Sequence, residues 1–192
     1  VPPDGYLTEI RKITKENNVL LILDEIQTGF GRTGKLFGYQ YEDAKPDILV
    51  VGKALGGGVY PVSAILADKE IMSVFNPGDH GSTFGGNPIA AAVGMASIDV
   101  IVDEKLPERS MELGEYFKKC LTEMNSPVVK EIRGKGLMIG VEIKKEFGKA
   151  RTICEKLMEE GILCKETHEQ TIRFTQPLII SKSELDWALT RI

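Results

Sequence analysis

VLLILD at residues 19–24 and PDILVVGK at residues 46–53 decide the fold. Each is a continuous apolar run rich in β-branched residues, the pattern of a strand buried on both faces in a parallel sheet. A third run, VSAILA at 62–67, follows the glycine-rich segment GKALGGG at 52–58. Upstream, Leu7, Ile10 and Ile13 repeat at helical spacing with charges between them, and Asn17-Asn18 can end that helix. Downstream, the pattern predicts a long helix over about Pro88 to Asp103. Strands alternating with helices imply an α/β sheet with crossover connections. In such sheets ligands sit beyond the carboxyl ends of the strands, where Asp24 and Lys53 both stand.

The second half reads differently. Pro107 marks a new start, after which Leu113, Phe117, Cys120, Leu121 and Met124 fall on one helical stripe. Ala150, Ile153, Cys154, Leu157 and Met158 form another, with Gly161 placed to end it. Strand-like pieces lie around these helices: VVKEI at 128–132, LMIGVEI at 137–143, ILC at 162–164 and TIRF at 171–174. Ser181 and Glu184 make a capping box ahead of Leu185, Ala188, Leu189 and Ile192. Residues 1–104 are therefore expected to belong to a larger, mostly parallel α/β domain and residues 105–192 to a smaller α+β domain. The chain opens VPPDG without a charged or apolar leader and closes at Ile192 within a helical pattern, so it is expected to be part of a longer protein.

Composition narrows the function. In 192 residues, 24 Lys and Arg face 28 Asp and Glu, giving a net charge of -4, so no basic excess is available for phosphate backbones and no nucleic-acid partner is expected. No apolar run reaches the roughly 18 residues of a membrane-spanning helix, and no membrane partner is expected. Three widely spaced cysteines, Cys120, Cys154 and Cys164, argue against a disulfide framework or zinc site and for a reducing, cytoplasmic compartment. Cys120 and Cys154 read as core thiols on apolar stripes. With only His80 and His168 present, metal chemistry and a Ser-His-Asp triad have few possible members.

GFGRTG at 29–34 matches the dinucleotide fingerprint, and Lys35 extends it to most of a phosphate-binding P-loop. Context opposes both. Leu36 stands where a P-loop needs Ser or Thr, and EIQT at 25–28 separates the glycines from the strand. Gly38 and Pro46 spoil a following helix. A nucleotide-dependent oxidoreductase or ATPase is thus a remote alternative, and a flexible glycine-rich loop is the expectation.

Three segments remain: LILDEIQ at 21–27, VVGKALGGG at 50–58 and HGSTFGGNP at 80–88. Singly, each has an ordinary reading as a capping Asp, a solvated Lys and a turn. Together they supply what an aldehyde cofactor acting as an electron sink requires. A lysine holds it as a Schiff base, a carboxylate keeps its pyridine nitrogen protonated, and hydroxyls bind its phosphate. Lys53, Asp24 and Ser82-Thr83 are the candidates.

The order DEIQTGFGRTG (24–34), PDILVVGKALGGGVYPVSA (46–64), GDHGSTFGGNPIAAA (78–92) and RGKGLMIGVE (133–142) resembles the class III aminotransferases over essentially the whole chain. These are pyridoxal phosphate enzymes of fold type I. The resemblance implies a cofactor-binding large domain followed by a small C-terminal domain, and transfer of an amino group from an amino acid to a 2-oxo acid. It implies that Asp24 pairs with the pyridinium nitrogen, Gln27 contacts the ring hydroxyl and Lys53 carries the cofactor. Thr83 is implied to bind the phosphate of the partner subunit's cofactor, so the active sites would be shared within a homodimer. Ser82 is a candidate substrate contact. Arg173 is implied to hold the α-carboxylate of 2-oxoglutarate or glutamate. VYPVSA at 59–64 and ILCKETHEQTIRFTQPLIIS at 162–181 are similar to members that act on the δ-amino group of ornithine, although members acting on acetylornithine share every motif. Gln176 departs from the pattern, standing where the resemblance expects the first of two prolines.

Overall fold

The computed structural model describes residues 1–192. The chain divides into two compact units: the first comprises Pro2–Phe30 with Lys35–Lys105, and the second Gly31–Gly34 with Leu106–Ile192 and Val1.

In the first unit, helix α1 (Tyr6–Glu16) leads into strand β1 (Ile22–Asp24), followed by β2 (Ile48–Val51), β3 (Ala64–Ala67), the short α2 (Lys69–Met72) and α3 (Pro88–Asp103). The sheet order is β1-β2-β3. β1 runs parallel to β2 with Asp24 opposite Val50, as the apolar runs predict. β3 departs from the expectation, since it pairs antiparallel with β2 and Val51 faces Ala64. A parallel return needs a crossover of about a dozen or more residues, usually helical, and the glycines and Pro61 between these strands cannot supply one. Burial in this chain is uneven along these runs. Leu21, Leu49 and Val51 are buried, whereas Val19, Leu20 and Ile22 are each more than half exposed (53%, 53% and 56%). α3 begins where the sequence places it, because Asn87 accepts the Ala90 N–H at 2.9 Å and Pro88 occupies the first turn.

The second unit contains α4 (Leu106–Glu123), β4 (Val129–Lys135), β5 (Met138–Ile143), α5 (Ala150–Glu159), β6 (Lys165–Thr167), β7 (Thr171–Phe174) and α6 (Lys182–Leu189). Its sheet is antiparallel throughout, in the order β4-β5-β7-β6. Ile139, Val141 and Ile143 of β5 and Ile172 and Phe174 of β7 are buried with Leu113, Phe117 and Leu121 of α4, Cys154 and Leu157 of α5 and Leu185 of α6. Each such side chain contributes roughly 1.5–3 kcal/mol by leaving water. The rings of Phe117 and Phe174 meet edge to face at 5.7 Å. The capping box at Ser181 and Glu184 forms.

The second half needs smaller corrections. β6 starts at Lys165, after the ILC segment expected to be a strand. Gly161 adopts φ 85 and the Ile162 N–H bonds back to the Leu157 carbonyl at 2.8 Å, so this stretch finishes α5. Met124 lies beyond the end of α4, and both it and Met158 are exposed. Cys154 is buried as a core thiol should be, whereas Cys120 and Cys164 are half-buried.

Candidate active site

β1 and β2 set the first two site residues, because two adjacent parallel strands end side by side. Asp24 closes β1, and its Oδ1 accepts the Ile26 N–H at 2.9 Å, fixing the carboxylate at the start of the turn. Gln27 lies in that turn and is exposed. Lys53 follows β2 by two residues and opens a 3-10 turn, Lys53–Gly56. Its φ is 46, a left-handed conformation that a residue with a Cβ rarely adopts and that costs about 1–3 kcal/mol where the surroundings impose it. α3 holds this turn from outside. Ser97 Oγ donates to the Ala54 carbonyl at 2.6 Å, and Gly94 lets the helix lie against Leu55. Ser82 and Thr83 are exposed in the turn before α3, where the Gly85 N–H bonds to the Ser82 carbonyl at 3.1 Å. Arg173 belongs to the second unit, on β7, opposite Gly140 on one side and Lys165 on the other.

Two residues that the sequence reading passed over organise this region. Glu25, next to Asp24, is buried. Its carboxylate accepts the Gly38 N–H at 3.0 Å, the Tyr39 N–H at 2.9 Å and the Thr28 hydroxyl, so a buried charge is satisfied by the loop it gathers. The signal available in sequence was only an acid doubled at a strand end. The other is Arg32. Gly31, Thr33 and Gly34 are buried, so the expected flexible loop is instead packed within the second unit. Arg32 donates from Nη1 to the carbonyls of Leu137, at 3.1 Å, and Gln176. The Arg32 carbonyl accepts from Ser110 Oγ at 2.9 Å and from the Leu137 N–H at 3.1 Å. Burial lowers the pKa of the Arg32 guanidinium. No helix follows these glycines, and a 3-10 turn at Gly38–Tyr41 stands in its place. A nucleotide fingerprint has the wrong frame here.

An exposed lysine on a strained turn just past β2 and a carboxylate closing the neighbouring parallel strand β1 are groups suited to an aldehyde and a ring nitrogen. A profile of the Aminotransferase class-III family matches residues 1–192, and the chain belongs to that family. Among its relatives, the chain is 60% identical over 192 residues to the ornithine aminotransferase of Bacillus subtilis (strain 168). That match covers 100% of this chain and 47% of the relative. Among solved structures, the ornithine aminotransferase of Toxoplasma gondii ME49 superposes with a TM-score of 0.96 at 45% identity, covering 100% of this chain and 46% of that one. The acetylornithine aminotransferase of Elizabethkingia anophelis matches at TM-score 0.93 and 46% identity, over 99% of this chain and 51% of that one. The chain thus spans about half the length of the relatives it matches.

Proposed function

We propose that this chain provides the lysine-bearing part of a pyridoxal-phosphate-dependent aminotransferase that moves the δ-amino group of ornithine to 2-oxoglutarate, giving glutamate 5-semialdehyde and glutamate. The observation that carries the reading is that Asp24 closes β1 opposite Val50 and Lys53 follows two residues past the adjacent parallel strand β2, within a chain 60% identical to an ornithine aminotransferase. When bound, pyridoxal phosphate supplies an aldehyde that condenses with amines and a ring that withdraws electrons. Lys53 would hold it through Nζ and, once released, take and return a proton at the substrate carbon from the same nitrogen. Asp24 would keep the ring nitrogen protonated through its carboxylate, and Gln27 would contact the ring hydroxyl. Thr83 would bind phosphate across a homodimer, and Ser82 would touch substrate. Arg173 would receive an α-carboxylate, since its planar fork matches two carboxylate oxygens. The three free thiols suit a cytoplasmic location.

The test is made in the full-length protein. Lys53→Ala should lower turnover by about 10²- to 10⁴-fold or more, the range expected when an acid-base group is removed. Borohydride reduction followed by peptide mapping should place the trapped cofactor on Lys53, and label on another lysine overturns the assignment. Presenting free and acetylated ornithine separately to the enzyme decides the substrate. Preference for the acetylated form would move the protein to the acetylornithine aminotransferases, which the Elizabethkingia anophelis likeness keeps in play.

A further inference from the structure

The β5·β7 ladder pairs Glu142 with Thr171, Val141 with Ile172, Gly140 with Arg173 and Ile139 with Phe174, and there it ends. Continued in the same register, the next outward positions bring Leu137 opposite Gln176. Their carbonyls both accept from a single nitrogen, Arg32 Nη1. The guanidinium therefore closes the open end of the two strands in place of a backbone pair. Arg173 stands three residues from one of the clamped carbonyls, and its cross-strand neighbour Gly140 stands three from the other.

We infer that Arg32 is a positioning residue for Arg173, fixing the ends of β5 and β7 so that the Arg173 guanidinium is held ready for a substrate carboxylate. The inference rests on the substrate role proposed above for Arg173. Arg32 pairs with no carboxylate, and a half-buried cation that meets only carbonyls is an expensive way to fill space. What one guanidinium nitrogen with two N–H groups in a fixed plane gives, set on a fixed loop, is a rigid bridge between two acceptors. The loop is itself fixed, because the Leu137 N–H is shared by the Arg32 carbonyl and Ser110 Oγ, the latter at 3.0 Å, and Ser110 is fully buried. The departure at residue 176 fits the same account. Gln176 offers Arg32 its carbonyl, a group that proline also carries.

Arg32→Lys keeps the charge but replaces the planar Nη1 donor by a rotatable ammonium on a shorter side chain. In the full-length protein it should raise KM for 2-oxoglutarate about ten- to a hundredfold, the scale of a misplacement of about 1 Å, while the ornithine half-reaction and the cofactor absorbance change less than about twofold. Because it acts through Arg173, the double variant Arg32→Lys/Arg173→Lys should bind 2-oxoglutarate no worse than Arg173→Lys alone. Equal losses in both half-reactions, or additive losses in the double variant, overturn the inference. If Arg32→Lys does not fold, Ser110→Ala, which loosens the same loop, should raise KM for 2-oxoglutarate in the same direction by a smaller factor. An unchanged KM there overturns it equally. An Arg173→Lys variant with normal 2-oxoglutarate kinetics removes the proposed substrate role itself, whereas an effect at Arg173 with none at Arg32 removes only the positioning role.

Discussion

At Asp47 a single oxygen, Oδ2, accepts from both the Leu21 N–H and the Arg11 guanidinium, each at 2.7 Å. This ties α1, the start of β1 and the start of β2 to one another. Burial works to raise the carboxyl's pKa, but the Leu21 N–H and Arg11 outweigh it and hold the group below the usual carboxylate range. A carboxylate whose pKa is depressed on folding adds stability above its unfolded value of about 3.9 and loses it as the pH falls through the folded value. Asp47→Asn should therefore be less stable than the wild type near neutrality, with the gap narrowing from about pH 4–5 downward. Urea midpoints at pH 7, 5 and 3 read this, and a gap that stays constant or widens in acid contradicts it. The thiol of Cys164 moves the other way. Burial first, and the neighbouring Cys154 thiol second, push it up to about 12, so it holds little of the thiolate that makes a cysteine reactive.

Among the elements, α4 and the β4–β5 turn approach so closely that side chains are excluded. A Cβ on Gly114 would lie 2.1 Å from the Gly136 carbonyl oxygen and 2.3 Å from its carbon. Gly136, at φ 54, is pressed in turn against the Arg32–Gly34 backbone, where a Cβ would come within 2.5 Å of the Thr33 carbonyl carbon. Helix, turn and loop are thus stacked backbone on backbone, and nothing flexible is available to give way. Gly114→Ala gains in helix propensity and should still destabilise the second unit, by about 1–3 kcal/mol or more, because overpacking here moves main chain. Thermal unfolding checks this, and a melting temperature at or above that of wild type would show that the turn yields. The same stacking seats the loop that carries Arg32, so the elements with no catalytic group still govern where Arg173 stands.

For the whole molecule, a family member with sites shared across a homodimer makes a prediction that no monomer makes. If Thr83 acts on its partner's cofactor, inactive Thr83→Ala and Lys53→Ala full-length proteins should regain activity when their subunits are exchanged. One site of the mixed dimer then carries both lesions and the other neither. About a quarter of wild-type activity is the expected ceiling, with random exchange giving half of the dimers one intact site of two. Verified mixed dimers no more active than either parent would remove the shared site. α3, which follows Thr83, presents Ile89, Met95, Val100 and Val102 to solvent in this chain, each close to half exposed or more.

The sequence by itself determined what depends on neighbours in the chain. α3 and α5 follow from helical spacing and their end signals, β5 and β7 from the strand-like runs LMIGVEI and TIRF, and the α6 start from a four-residue capping box. The positions of Asp24 and Lys53 near strand ends were legible for the same reason, whereas their proposed roles came from the family resemblance and not from any local pattern. The direction of β3 was not, because an apolar run looks the same paired either way. Nor did the sequence show that GFGRTG divides after Phe30, with Arg32 passing to the second unit. The carbonyls that claim Arg32 lie 105 and 144 residues away, and no local pattern records a partner at that separation. What the tertiary structure alone decided is the frame around Arg173. A strand's register is fixed by the strands and side chains packed against it, and those are assembled only when the chain closes on itself.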